Sequence, residues 1–213
     1  MEVNFKSVTP NVETTIVEIA RVSSSRNDKS EKPENLINYL IKNKHWSPFE
    51  HGMLTIEIKT SKAIGIQLLR HRSFTFQEFS QRYAIVENIE PIELRKQAID
   101  NRQSSTEVFN PKVYYSGYNS EILANSAIEK YLEQGQKLYK DLLNKGVARE
   151  CARMILPMCT ETTIFMSGTI RSWIHFIDIR IDGHAQKEAQ LIAQKIKKIF
   201  KEQLPLISNA LNY

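Results

Sequence analysis

Glycine is scarce in this chain, 7 in 213 residues, and neither G-x-G-x-x-G nor G-x-x-x-x-G-K-[ST] occurs. Without those turns a Rossmann or P-loop phosphate cradle is not expected, so any phosphate must be held by arginines and helix ends. Cysteine is scarcer still. Cys151 and Cys159 flank Pro157 without CxxC or Cys/His ligand spacing, which predicts reduced thiols in a reducing compartment rather than a disulfide framework. The five histidines, His45, His51, His71, His175 and His184, form no HExxH or related spacing, which argues against a metal centre. Ser80 lies in no G-x-S-x-G setting, so a Ser-His-Asp hydrolase is unsupported. No apolar run approaches the ~20 residues that cross a bilayer. The opening Met1, Glu2, Val3 and Asn4 lack both a basic and an apolar leader region, so a cytoplasmic protein with no membrane partner is expected.

What is present is an excess of basic charge and a readable pattern of elements. A net charge of +5 and a pI of 9.1 favour anionic partners without separating nucleic acid from nucleotides or phosphorylated cofactors. Val3 and Phe5 alternate in a short strand, and Thr9-Pro10 offers a helix cap followed by an apolar face of Val12, Ile16, Ile19 and Ala20. Residues 23–34 read as a polar loop. Pro33 opens a second helix with Leu36, Ile37, Leu40 and Ile41 on one stripe, and Ser47 with Glu50 has capping-box spacing around Pro48. Leu54, Ile56 and Ile58 alternate as a half-buried strand, after which Ser61 can cap a helix carrying Ala63, Ile64, Leu68 and Leu69.

Farther on, the stretch after Arg72 lacks clear periodicity, and residues 84–118 predict connections with one short helix. From Asn119 a long helix is expected through Leu123, Ala127, Tyr131, Leu138 and Leu142 to a stop at Gly146, followed by a shorter one over 147–156. Residues 160–167 alternate as a strand, with Gly168 permitting a sharp turn into a helix over 170–179. Ala185, Ala189, Ile192, Ile196 and Ile199 define a last helix closed by Pro205. The sum is an α+β chain, residues 1–213 as a single domain, with a small, mostly antiparallel sheet packed with several long helices.

The densest chemistry lies in residues 70–83, RHRSFTFQEFSQRY. Its arginines are fixed cationic forks for phosphate or carboxylate, and its rings offer flat surfaces, a combination suited to a phosphorylated aromatic ligand. A basic surface loop fits the same composition. Phe74, Phe76 and Phe79 would also suit single-stranded RNA, although no RRM or KH module accompanies them.

RHRSFTFQEFS matches an Arg-His-Arg, seven residues, Ser signature and resembles the flavin-dependent thymidylate synthases, the ThyX family. IARVS near Ala20, HWSPFEH, VARECARMILP around Arg153 and RSWIHFIDIRIDGHAQ follow in that family's order. The resemblance implies reductive methylation of dUMP to dTMP, a methyltransferase activity. Methylenetetrahydrofolate would be the carbon donor, FAD the redox carrier and NADPH the reductant, in a homotetramer whose active sites are shared between subunits. It implies no nucleic-acid partner and no metal. A route without a thiolate at uracil C6 agrees with Cys159, which follows Met158 and lacks a Pro-Cys-His setting.

Carried over by position, the resemblance puts Gln67, Arg70, Glu78, Ser80, Gln81, Arg82, Arg153 and Arg180 around dUMP. Arg180 and Ser80 are closest to the chemistry, Arg180 stabilising charge on the uracil and Ser80 orienting the ring. Ser47, Arg70, His71, Arg72, Glu78, Thr169, Arg171 and His175 would line the FAD site, with His45 near flavin or folate. This chain departs from the family pattern at Gln77, where Asn is usual, and at Thr169, where Asn is common.

Overall fold

The computed structural model describes residues 1–22 and 32–213, so most of the polar loop expected over 23–34 lies outside the described residues. The chain is α+β, as its pattern predicts, and it divides into two compact units. The first comprises Met1–Lys59, Gln67–Gln77 and Thr163–Tyr213, and the second Thr60–Ile66 and Glu78–Thr162.

In the first unit β1 (Glu2–Val8) pairs antiparallel with β2 (Met53–Ser61), Val3 opposite Ile58 and Val8 opposite Leu54. β8 (Glu161–Thr169) and β3 (Phe74–Glu78) complete a sheet of order β1-β2-β8-β3. Alternation in β2 sends Leu54, Ile56 and Ile58 to full burial, which stabilises by about 1.5–3 kcal/mol per side chain. Thr9 extends the β1 ladder instead of capping a helix: its amide donates to Met53 O at 2.9 Å, and its Oγ1 accepts from Met53 N at 3.0 Å. α1 (Val12–Arg21) therefore starts later than expected and buries Val12, Ile16 and Val17.

α2 (Pro33–Lys42) begins at its proline and buries Ile37 and Leu40. The capping box is not formed. Ser47–His51 is a 3₁₀ turn whose N-cap is Trp46, with no side-chain cap bond. α3 (Lys62–Leu69) does receive its cap, Ser61 Oγ accepting from Ile64 N at 3.4 Å. Residues 74–78 are a strand, not an aperiodic loop. Phe74 is buried and packs edge-on against Trp173 at 4.7 Å, so the Phe-Thr-Phe-Gln-Glu alternation carried a signal that the surrounding charge obscured. Gly168 stays within β8 and makes no turn; a Cβ there would lie 2.4 Å from the Phe74 ring, so glycine is required by close packing.

α6 (Ile170–Ile181) follows directly, capped by Thr169 Oγ1, which accepts from Ser172 N at 3.2 Å. It buries Trp173, whose Nε1 donates to Leu54 O at 2.9 Å. α7 (Lys187–Gln203) buries Ala189, Ile192, Ala193, Ile196 and Phe200. Pro205 does not only close α7. It opens α8 (Pro205–Ala210), where Ile207 N donates to Glu13 Oε1 at 2.8 Å.

The second unit lacks the short helix expected over 84–118. Instead β4 (Arg95–Gln97) pairs with β5 (Ser105–Val108), and β6 (Lys112–Tyr115) with β7 (Ser120–Leu123). The long helix α4 (Ala124–Asn144) consequently starts after β7, and it ends before Gly146, whose φ of 82° is the left-handed stop its position predicts. Its expected stripe is only partly a core face: Ala124 and Tyr139 are buried, whereas Tyr131 and Leu138 are exposed. The helix expected over 147–156 is a four-residue α5 (Arg149–Ala152) and a 3₁₀ turn, Arg153–Ile155. Val86, Tyr139 and Ala152 form this unit's core, with Phe79, Leu142, Leu143, Val147 and Leu156 against them.

Candidate functional site

In the first unit the Arg-His-Arg segment is the joint between α3 and β3. Arg180, in the last turn of α6, donates through Nε to His71 Nε2 at 2.9 Å and through NH2 to the Gln67 carbonyl at 3.1 Å. An arginine Nε can only donate, so His71 Nε2 holds a lone pair and the neutral ring carries its proton on Nδ1. Burial first, then the charges of Arg180 and His175, lower the His71 pKa to about 4. The ring packs edge-on against Phe176 at 4.9 Å, and burial also lowers the Arg180 pKa from its ordinary value. Gln67, one turn before Arg70, donates its side-chain amide to Gln186 Oε1 at 2.6 Å. Arg70 and Arg72 stand exposed on either side of His71.

A cleft of about 530 Å³ opens beside the N-terminal half of α6. It is lined by Trp46, Glu50, Ser73, Arg171, His175 and Asp178, with Thr169 at its edge. Thr169, Arg171 and His175 are thus brought together as expected of the cofactor set, whereas Ser47, Arg70, His71 and Arg72 do not line this cleft. Nor does His45, which instead packs edge-on against Tyr39 at 5.7 Å. Trp46, Glu50 and Asp178 are residues the sequence reading missed. Glu50 was concealed by its capping-box spacing, which offered a local partner where the real ones are distant: Arg171 NH1 at 2.7 Å and Thr169 Oγ1 at 3.0 Å. Asp178 accepts from Tyr213 OH at 2.7 Å.

The second unit holds the other predicted residues. Glu78 Oε1 accepts from both Lys62 Nζ at 2.7 Å and Thr162 Oγ1 at 2.9 Å, which fixes one oxygen of its carboxylate. Ser80 and Gln81 lie in the turn after β3, where Ser80 Oγ accepts from Arg82 N at 3.4 Å. Arg82 pairs with Glu150 at 3.3 Å, both side chains more than half exposed, and Arg149 donates to the Tyr83 carbonyl at 3.0 Å. Arg153 Nε is buried and has no hydrogen-bond partner among the described residues, an orphaned cationic donor of the kind an anion satisfies. Both cysteines are free, and burial raises the Cys159 thiol pKa, disfavouring the thiolate.

Chemically, the first unit presents a cleft in which the Trp46 ring, Arg171, His175 and the hydroxyls of Ser73 and Thr169 stand beside the carboxylates of Glu50 and Asp178, plus an oriented guanidinium at Arg180. The second presents arginines suited to phosphate. Among the described residues, no helix is long and apolar enough to cross a membrane.

The family model of the thymidylate synthase complementing protein matches residues 5–206. A probable flavin-dependent thymidylate synthase of Paramecium bursaria Chlorella virus 1 is 44% identical over 203 residues, covering 94% of this chain and 91% of its own length. The flavin-dependent thymidylate synthase of Synechocystis sp. is 41% identical over 201 residues, covering 94% and 90%. That of Thermosipho melanesiensis is 39% identical over 192 residues, covering 89% and 81%.

Proposed function

Because the chain belongs to the flavin-dependent thymidylate synthase family, we propose that this enzyme converts dUMP to dTMP by reductive methylation. In this reading methylenetetrahydrofolate is the one-carbon donor, FAD the redox carrier and NADPH the reductant. The observation that carries it is Arg180, held to His71 at 2.9 Å and to the Gln67 carbonyl at 3.1 Å although those partners lie 109 and 113 positions away. A guanidinium so oriented is what a pyrimidine needs where negative charge develops on its edge.

The roles follow from the side chains. Arg180 donates to the uracil edge, with Gln67 and Arg70 beside it. Arg153 and Arg82 take the phosphate: Arg153 because its buried Nε lacks a partner, Arg82 because an exposed pair with Glu150 is easily exchanged. Ser80 and Gln81 orient the ring, since a serine without an adjacent base is a weak nucleophile. Glu78, with Oε1 fixed by Lys62 and Thr162, contributes to the dUMP and flavin sites through its other oxygen. The flavin fits the donors of the cleft, where Trp46 offers an apolar face and Arg171 and His175 offer cationic or neutral donors. Thr169, Ser47, Arg70, His71 and Arg72 complete the set. When bound, flavin supplies the hydride chemistry that completes the methyl group. No cysteine nucleophile is used, in keeping with the raised Cys159 pKa.

Residues 1–213 function as one thymidylate synthase domain in a cytoplasmic homotetramer, whose copies together complete each active site. Tyr131 and Leu138, seven positions apart on one face of α4 and exposed at 61% and 52%, support association. The competing reading is a basic RNA- or nucleotide-binding module without redox chemistry. Purified protein is expected to be yellow with a flavin absorption spectrum; a colourless protein that also fails to bind added FAD would sink the enzyme reading.

A further inference from the structure

Glu50 sits on the wall of the cleft and uses both carboxylate oxygens: Oε1 accepts from Arg171 NH1 at 2.7 Å, and Oε2 from Thr169 Oγ1 at 3.0 Å. The Glu50 and Arg171 side chains are 42% and 51% exposed, so the pair contributes little to stability. Glu50 and Asp178 both line the cleft and oppose the single cation of Arg171, so Glu50 does not draw an anion by its charge. Neither stability nor attraction of an anion accounts for it, whereas geometry does. Arg171 is the second residue of α6, and Thr169 is that helix's cap, accepting from Ser172 N at 3.2 Å. Glu50 thereby links the guanidinium to the hydroxyl that caps the same helix. It engages one edge of Arg171's planar fork, leaving the other N–H groups for a ligand.

We propose that Glu50 is a positioning residue, which sets Arg171 and the Thr169 hydroxyl for the anionic diphosphate of a flavin dinucleotide bound in this cleft. This inference rests on the reading that the cleft holds the flavin.

The test is a titration of FAD into the full-length chain and into Glu50→Ala, Glu50→Gln, Arg171→Ala and the double variant Glu50→Ala/Arg171→Ala, with thermal unfolding of each. Glu50→Ala and Arg171→Ala are each expected to weaken FAD binding about tenfold. The double variant should bind less tightly than Arg171→Ala by much less than the tenfold that Glu50→Ala costs by itself, because Glu50 acts mainly through Arg171 and only in part through Thr169. Glu50→Gln, which keeps a carbonyl acceptor of the same reach, should recover part of the loss. Melting temperatures should stay within about 3 °C. FAD binding by Glu50→Ala that equals or exceeds the native chain's overturns the proposal, since removing a negative charge alone tightens an anion site. Native FAD affinity in Arg171→Ala overturns the cleft reading, and the proposal with it.

Discussion

Arg180 in the first unit and the arginines Arg82 and Arg153 in the second are held in opposite ways. In the first, Arg180 is half-buried and bonded to the ring nitrogen of His71, which packs against Phe176, and to a backbone carbonyl of α3. In the second, Arg82 meets Glu150 across a pair of exposed side chains, while Arg153 keeps a buried Nε without a partner. The difference follows from the frames. The first unit's frame is a four-stranded sheet with α6 packed by Trp173 and Phe176; the second unit's is two-stranded ribbons, a four-residue helix and a 3₁₀ turn against α4. Arg180 on the first is pre-aimed, and Arg82 on the second is available to be re-aimed.

The comparison is broken most severely at Arg180. Arg180→Ala is expected to lower dUMP-dependent reoxidation of reduced flavin by about ten- to a hundredfold, as the proposed charge-assisted bond to the uracil edge, of roughly 1.5–3 kcal/mol, is lost. The fold should survive, and unchanged turnover would remove Arg180 from the site.

A smaller effect is expected from pH. His71 has a folded pKa of about 4, below its ordinary value of 6.5, so between those values the unfolded chain binds more protons and acidification destabilises. The full shift corresponds to about 3.4 kcal/mol; with the ring half-buried, the screened loss on going from pH 7 to pH 4 is about 1–2 kcal/mol. Glu13, whose carboxyl pKa is raised by burial, slopes the other way. Denaturant unfolding of the native chain and of His71→Gln across this range isolates the His71 contribution, and identical slopes would refute it.

The smallest effect belongs to the second unit. Glu150→Ala should change unfolding free energy by less than about 1 kcal/mol, because the Arg82 pair is exposed. A loss as large as that from His71 would mean that the two units do not differ as described.

Where local pattern and tertiary environment agreed, the sequence was readable. Leu54, Ile56 and Ile58 alternate and are buried; Pro33 and Gly146 begin and end helices where their backbone preferences place them. It misled where a local partner was plausible and a distant one prevailed. Thr9 extends a ladder to Met53 rather than capping, and Glu50 reaches Arg171 and Thr169 rather than completing a capping box. Strand 74–78 was hidden because five residues of alternation among charges are a weak signal, confirmed only by the Trp173 ring beside Phe74.

By itself the sequence determined the α+β class, the principal helices, the Arg-His-Arg signature and the family it marks. These rest on residue order and on periodicities spanning a few turns, which are local. The tertiary structure alone decided that Arg180 donates to His71, that Glu78 is held by Lys62 and Thr162, and that Arg153 Nε is left without a partner. Each depends on segments far apart in the chain being packed to within a hydrogen bond's length, and no local propensity encodes that distance.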